Sequence, residues 1–265
     1  MLDLTTITPY TRGLETIDKK FGRFGLNKLI VTLGESQSGK TEFTFFQARK
    51  NADRWFKVCY ICLEMTKEAM CQRAAIKRAA ISKEERDDKT FTDQQKEVLK
   101  QKYKKLMEYK NLDLVYLQTT TPDKIHDLII DKNIEWYDLF YIDNLGFITE
   151  EWIQEIELTA KAIRVLKELT NLYPLTINLI HHFNKWGSND RNAPRGMASI
   201  RSSGKIENDA DYVIQVWRDL SEDVSDHERK LVNIYKQKDR ERGEPTEAKI
   251  MFDVWDYVDI KKPNI

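Results

Sequence analysis

Short apolar runs alternate along this chain with longer stretches in which apolar residues return every three or four positions. The runs at residues 29–33, 57–63, 112–117, 137–144 and 175–180 are mostly apolar, the pattern of strands buried on both faces. Residues 212–217, 231–236 and 249–254 also read as strands. Between the runs the spacing predicts helices: a short lead-in over 13–21, then one from about Lys40 to Ala52. From Thr66 to about Ala80 a stripe of Ala69, Met70, Arg73, Ala74 and Lys77 points to a third. Residues 82–108 are densely charged, yet Val98, Leu99, Tyr103, Leu106 and Met107 recur at helical spacing, as on a solvated amphipathic helix. Thr121 and Pro122 form a cap and first position for a helix through Ile125, Leu128 and Ile129. Residues 153–172 form another, with Ile156, Ala160, Ile163, Leu166 and Leu169 on one side. Strands alternating with helices predict an α/β fold. A mostly parallel sheet would be covered on both faces and finished by antiparallel strands at the C-terminal end. Residues 1–12 read as an N-terminal arm and 13–265 as a single domain, without repeats or a linker.

Composition narrows the picture less than the pattern does. With 43 basic and 43 acidic residues in 265, net charge favours neither nucleic acid nor membrane, so any polyanion site must be a local patch. No apolar run approaches the length of a membrane span, and the N-terminus lacks the regions of a signal peptide, so a cytoplasmic protein without a membrane partner is expected. The three cysteines are Cys59, Cys62 and Cys71. Cys59 and Cys62 have metal-like spacing, but three residues apart on a strand they point to opposite faces and cannot share an ion or a disulfide.

One stretch carries explicit chemistry. Gly34-Glu35-Ser36-Gln37-Ser38-Gly39-Lys40-Thr41 follows the first apolar run and opens the second helix. This is the G-x-x-x-x-G-K-[ST] pattern in the strand–loop–helix setting it requires. Backbone N–H groups of such a loop wrap a phosphate chain at a helix N-terminus. Lys40 would face the β- and γ-phosphates, and the Thr41 hydroxyl would ligate Mg²⁺. A nucleoside triphosphate is the implied ligand.

Further groups must come from the carboxyl ends of neighbouring strands. Asp143 ends the run Leu139-Phe140-Tyr141-Ile142, as a carboxylate delivered by a buried strand to a Mg²⁺ shell does; alone, the same pattern also describes an ordinary strand-end turn. Glu64 closes the second run, where a carboxylate can polarise an attacking water or simply sit on the surface before a helix. His182, with His181 and Asn184 beside it, closes the fifth run, where a side chain can sense the γ-phosphate. Two adjacent histidines on one strand point apart, which argues against a shared metal.

Together these stretches resemble the RecA-like motor domain of DnaB-type replicative helicases. The matching segments are Gly34–Thr41, Leu63-Glu64-Met65-Thr66, Tyr141-Ile142-Asp143-Asn144-Leu145, His182-Phe183-Asn184-Lys185, residues 200–211 and Lys238-Asp239-Arg240. The block Ile200-Arg201-Ser202-Ser203-Gly204-Lys205-Ile206-Glu207-Asn208-Asp209-Ala210-Asp211 discriminates best, because P-loop proteins in general lack it. The resemblance spans roughly residues 11–260 and implies a RecA-like P-loop ATPase with ATP and Mg²⁺ as cofactors. It implies Glu64 as catalytic base, Asp143 as the Mg²⁺ carboxylate and His182 as γ-phosphate sensor. Lys238 and Arg240 fall at the positions of a lysine and an arginine finger that reach a neighbouring subunit's nucleotide, with Lys236 and Arg242 as nearby alternatives. His182 stands where the family carries glutamine, exchanging an amide for a group that titrates. Neither the family's N-terminal collar nor most of its linker is expected here, and the segment after Asp143 is short and acidic.

Between Lys185 and Lys205 lie five basic residues (Lys185, Arg191, Arg195, Arg201, Lys205) against one acid, Asp190, among small polar residues. That composition suits a loop gripping a single-strand backbone, and equally a solvated loop. The expected function is an ATP-dependent helicase or translocase on single-stranded DNA, assembled as a hexameric ring and working with other replication proteins. The alternatives are a recombination or DNA-remodelling ATPase of the RecA/RadA kind, and a nucleotide-switched accessory protein.

Overall fold

Among the described residues nine strands join one sheet. The computed structural model describes residues 10–79, 81–182, 203–219, 221, 224–241, 245–252 and 257–259. The strands are β1 (Lys28–Gly34), β2 (Val58–Cys62), β3 (Leu112–Tyr116), β4 (Leu139–Asp143), β5 (Thr176–His182), β6 (Tyr212–Trp217), β7 (Leu231–Asp239), β8 (Thr246–Phe252) and β9 (Tyr257–Asp259). Their spatial order is β3-β2-β4-β5-β1-β6-β7-β8-β9. The first six positions run parallel, and β7, β8 and β9 are added antiparallel. The expected sheet is therefore present, with β9 as an addition too short to be read from its pattern.

The helices are α1 (Glu15–Phe21), α2 (Lys40–Ala52), α3 (Lys67–Arg78), α4 (Lys83–Asp88), α5 (Asp93–Met107), α6 (Pro122–Ile134), α7 (Glu155–Leu172), α8 (Ser203–Asp209) and α9 (Asp226–Arg229). They form a layer on each face of the sheet. Ile30, Val58, Tyr60 and Cys62 pack into one layer with Phe43, Phe45 and Phe46 of α2 and Met70 and Ala74 of α3. Leu29, Val31, Cys59 and Ile61 pack into the other with Ile125 and Ile129 of α6 and Ile163 and Leu166 of α7. Side chains alternate across a strand, so both faces of β1 and β2 are apolar and the sequence shows a run. The same alternation sends Cys59 and Cys62 into opposite layers.

Three local expectations needed adjustment. The charged stretch after Ser82 is two helices, because Lys89 adopts a left-handed φ of 55° and Ser82/Glu85 and Thr92/Gln95 each form a capping box that starts a new helix. On α3 the buried set is Met70, Cys71, Ala74, Ala75 and Arg78, so Ala69 and Arg73 face solvent. On α7 Ile156 is exposed and Leu158 takes its place in the core. The segment read as a long loop lies outside the described residues up to residue 202, and α8 follows it at once.

Strand β7 is anchored by a buried ion pair. Lys236 Nζ lies 2.6 Å from Asp239 Oδ2, and the two side chains are 2% and 1% exposed. Removing one partner strands the other charge in a low-dielectric interior. Asp239→Asn should therefore cost about 3–5 kcal/mol of stability, read as a shift of the denaturant midpoint. The double variant Lys236→Met/Asp239→Asn should recover most of that loss.

Candidate active site

The centre of the site is the turn from β1 into α2. Gly34 leaves no room for a side chain: a Cβ there would come within 2.6 Å of the Val216 carbonyl and 2.5 Å of Ser38 Oγ. Gly39 has φ +94°, a backbone state that a side chain disfavours, and Gln37 also adopts a left-handed φ of 67°. These conformations curl residues 35–39 over the start of α2. Lys40 is buried and folds back so that its Nζ donates to the Glu35 carbonyl at 2.6 Å. Burial pulls its pKa down to about 8, against the opposing pull of Asp143 and Glu64. An arriving phosphate would restore a full charge at little further desolvation cost.

Three strand ends meet this loop because β2, β4, β5 and β1 are consecutive in the sheet. Register aligns Gly34 with His182, and Asp143 with both Cys62 and Ile180. Asp143 is 5% exposed, and its Oδ2 accepts from the Tyr60 hydroxyl at 3.0 Å. That hydroxyl lies 2.9 Å from Thr44 Oγ1, which donates to the Lys40 carbonyl at 3.0 Å. Burial raises the Asp143 pKa, opposed by hydrogen bonds from Thr41 and Tyr60. Asp143 Oδ1 is buried without a hydrogen-bond partner.

Glu64 is exposed beyond β2, and its Oε2 accepts from Asn144 Nδ2 at 2.8 Å. The same Asn144 nitrogen stands 3.0 Å from His182 Nε2, and Lys40 Nζ stands 3.1 Å from His182 Nδ1. Burial and then the Lys40 charge depress the His182 pKa, which favours a neutral ring. His181 points away into the interior, and burial pulls it down to about 4. The structure thus brings together Glu35, Ser38, Lys40, Thr41, Glu64, Asp143 and His182.

Lys238 and Arg240 are not part of that cluster. Strand β7 runs antiparallel to β6, so its C-terminal end lies at the opposite end of the parallel strands from the P-loop. The Arg240 N–H donates to the Asp211 carbonyl, and the Asp211 N–H donates to the Leu29 carbonyl. Leu29 is five strand residues before Gly34, about 17 Å at 3.3 Å per residue. The Arg240 side chain, 43% exposed, contacts the Asn208 carbonyl and Asp211 Oδ1, while Lys238 Nζ donates to the Ala210 carbonyl at 2.7 Å. Lys236 is spent on its buried ion pair. Of the basic-loop residues, Lys205 is exposed on α8, whereas Lys185, Arg191, Arg195 and Arg201 lie outside the described residues, as does Arg242.

Several residues around the P-loop were not assigned from sequence. Tyr60 reads there as one more apolar strand position, although its hydroxyl holds Asp143. Tyr257 donates to the Gly39 carbonyl at 3.3 Å and packs edge-on against Phe43 and Phe46, and Arg218 borders the same glycine. Asn144 follows the strand-end aspartate and carried no role. An amide directly after such an aspartate was the one signal for it.

Residues 10–255 match the family model described as the DnaB-like helicase C-terminal domain. The chain belongs to that family. It is therefore a nucleotide-binding P-loop ATPase of the DnaB helicase type, a family that acts on DNA. Many solved structures share the fold, among them the following two. The first, described as an ATPase domain, has a TM-score of 0.83 at 16% identity, covering 98% of this chain and 94% of that one. The second is a DnaB-like replicative helicase studied with primase, with a TM-score of 0.84 at 17% identity, covering 96% of this chain but 62% of that one. Comparison with curated proteins finds no match. No helix among the described residues is long and apolar enough to cross a membrane.

Proposed function

We propose that this DnaB-type domain hydrolyses ATP at the interfaces of a homo-oligomeric ring, a hexamer, and thereby moves along single-stranded DNA in the cytoplasm. The observation that carries the reading is the division of the chemistry between the two ends of the sheet. Lys40, Thr41, Asp143, Glu64 and His182 gather at one end, while Arg240 sits about 17 Å away at the other, level with Leu29, and Lys238 turns its Nζ to the Ala210 carbonyl beside it. A finger so placed serves a nucleotide bound to a second copy.

In this reading residues 34–39 wrap the phosphates and Lys40 turns from the Glu35 carbonyl to the β- and γ-oxygens. Thr41 and Asp143 fit Mg²⁺: a hydroxyl lies beside a buried carboxylate whose Oδ1 has no partner. An ion held there would neutralise charge developing on the phosphates. Glu64 accepts a proton from the attacking water, and His182 registers the γ-phosphate. The basic residues Lys185, Arg191, Arg195, Arg201 and Lys205 supply the DNA grip. Other replication proteins, such as the primase partner of the DnaB-like neighbour, complete the setting.

The test is strand displacement from a forked duplex with ATP and Mg²⁺. The wild-type chain should unwind the fork and show DNA-stimulated turnover. Glu64→Gln should bind a fluorescent ATP analogue within a few-fold of wild type yet lose on the order of 10²–10⁴ in turnover. DNA-stimulated turnover without displacement would favour translocation alone, and Glu64→Gln with normal turnover would remove Glu64 as the base.

A further inference from the structure

Asn144 touches both of the groups that act at the γ-phosphate. The residue is 1% exposed, and its Nδ2 reaches Glu64 Oε2 at 2.8 Å and His182 Nε2 at 3.0 Å. Its Oδ1 accepts from the Gly146 N–H at 3.0 Å, capping the short turn after β4. These partners fix the amide's orientation. Turned over, the oxygen would face the Glu64 carboxylate and the NH₂ would face the Gly146 N–H, two repulsive contacts in place of two hydrogen bonds.

His182 then has a donor on each side. Lys40 Nζ faces Nδ1 at 3.1 Å, and Asn144 Nδ2 faces Nε2. A neutral imidazole carries one acceptor nitrogen and an imidazolium none. The ring can accept from Lys40 or from Asn144, but not from both at once. Whichever group leaves frees the ring's single acceptor for the other.

We propose that Asn144 is a positioning residue that links phosphate capture by Lys40 to the orientation of Glu64, through the tautomer of His182. While Lys40 donates to Nδ1, the ring proton sits on Nε2 and Asn144 is held by Glu64 and Gly146 alone. When phosphate oxygens draw Lys40 away, the half-buried ring gives its Nε2 proton to solvent water and takes one from water at Nδ1, with no change of net charge. Nε2 then accepts from Asn144, and an amide fixed by both hydrogens holds Glu64 Oε2 in one place. The proposal rests on the reading of Glu64 as the base.

Asn144→Ser, Asn144→Ala and Glu64→Gln separate the possibilities. Serine keeps an oxygen that can cap the Gly146 turn, but it has no donor that reaches Glu64. Both Asn144 variants should lose about 10- to 100-fold in kcat, the scale of a misplaced catalytic group, with KM and ATP-analogue binding within two-fold of wild type. In a Glu64→Gln background, Asn144→Ser should add no further loss, because the two act as one unit. If Asn144→Ala does not fold, Asn144→Ser carries the test. Wild-type kcat in Asn144→Ser reduces Asn144 to a turn cap and overturns the proposal. Additive losses in the double variant overturn it too, because Asn144 would then act other than through Glu64. Normal turnover in Glu64→Gln identifies failure of the underlying assignment.

Discussion

Lys40→Ala is expected to bring ATP hydrolysis below detection. Lys40 is the buried cation at the mouth of the P-loop, held by the Glu35 carbonyl and facing His182 Nδ1. Removing a single positioned donor from a site of developing charge typically costs about 10²–10³ in rate. Here a full charge against two phosphates is removed as well. Loss of activity should not come from unfolding. Burial already pulls the Lys40 pKa down to about 8, so the folded chain bears a cost for holding this charge that the variant does not. Lys40→Met, which keeps most of the packed stem, should match wild type in thermal midpoint while remaining inactive. A variant that turns over ATP would remove Lys40 from the phosphate site.

Arg240→Ala should lose about 10³–10⁵ in turnover, the range found for fingers supplied in trans, while binding ATP analogue normally. The arginine also holds the Asn208 carbonyl and faces Asp211, so the single variant could act by loosening α8. Mixing resolves this. Arg240→Ala chains keep an intact P-loop, and Lys40→Ala chains keep an intact finger. Random co-assembly would pair the two intact halves at about a quarter of the interfaces of a ring. Two inactive proteins should therefore regain activity on mixing, in a concentration-dependent way. Without recovery, and with Arg240→Ala alone inactive, the trans assignment fails.

Much of the fold was legible because its signals are local. Apolar runs revealed the parallel strands, since burial on both faces leaves no polar positions to mask them. Thr121 and Pro122 marked the start of α6, where the Thr121 hydroxyl accepts from the Lys124 N–H at 3.3 Å. Signals failed where packing outranked periodicity. The stripe on α3 turned by one position, and Ile156 at the start of α7 gave way to Leu158, because the docking angle of a helix on the sheet selects its buried face. The short elements α8, α9 and β9 have too few residues to show a period at all.

The site divides along the same line. The sequence by itself determined the P-loop, because its parts are eight neighbours in the chain and their geometry follows from two glycines and the start of a helix. It also determined that Glu64, Asp143 and His182 end apolar runs. Only the tertiary structure decided that these ends stand side by side, since β4 enters between β2 and β5. The same structure puts Arg240 at the far end of the strands, because β7 reverses direction beside β6. Asn144 needed the folded chain as well: its partners Glu64 and His182 are 80 and 38 residues away in sequence. A side-chain amide is defined by what it faces, and what it faces is decided by strand order rather than by its neighbours in the chain.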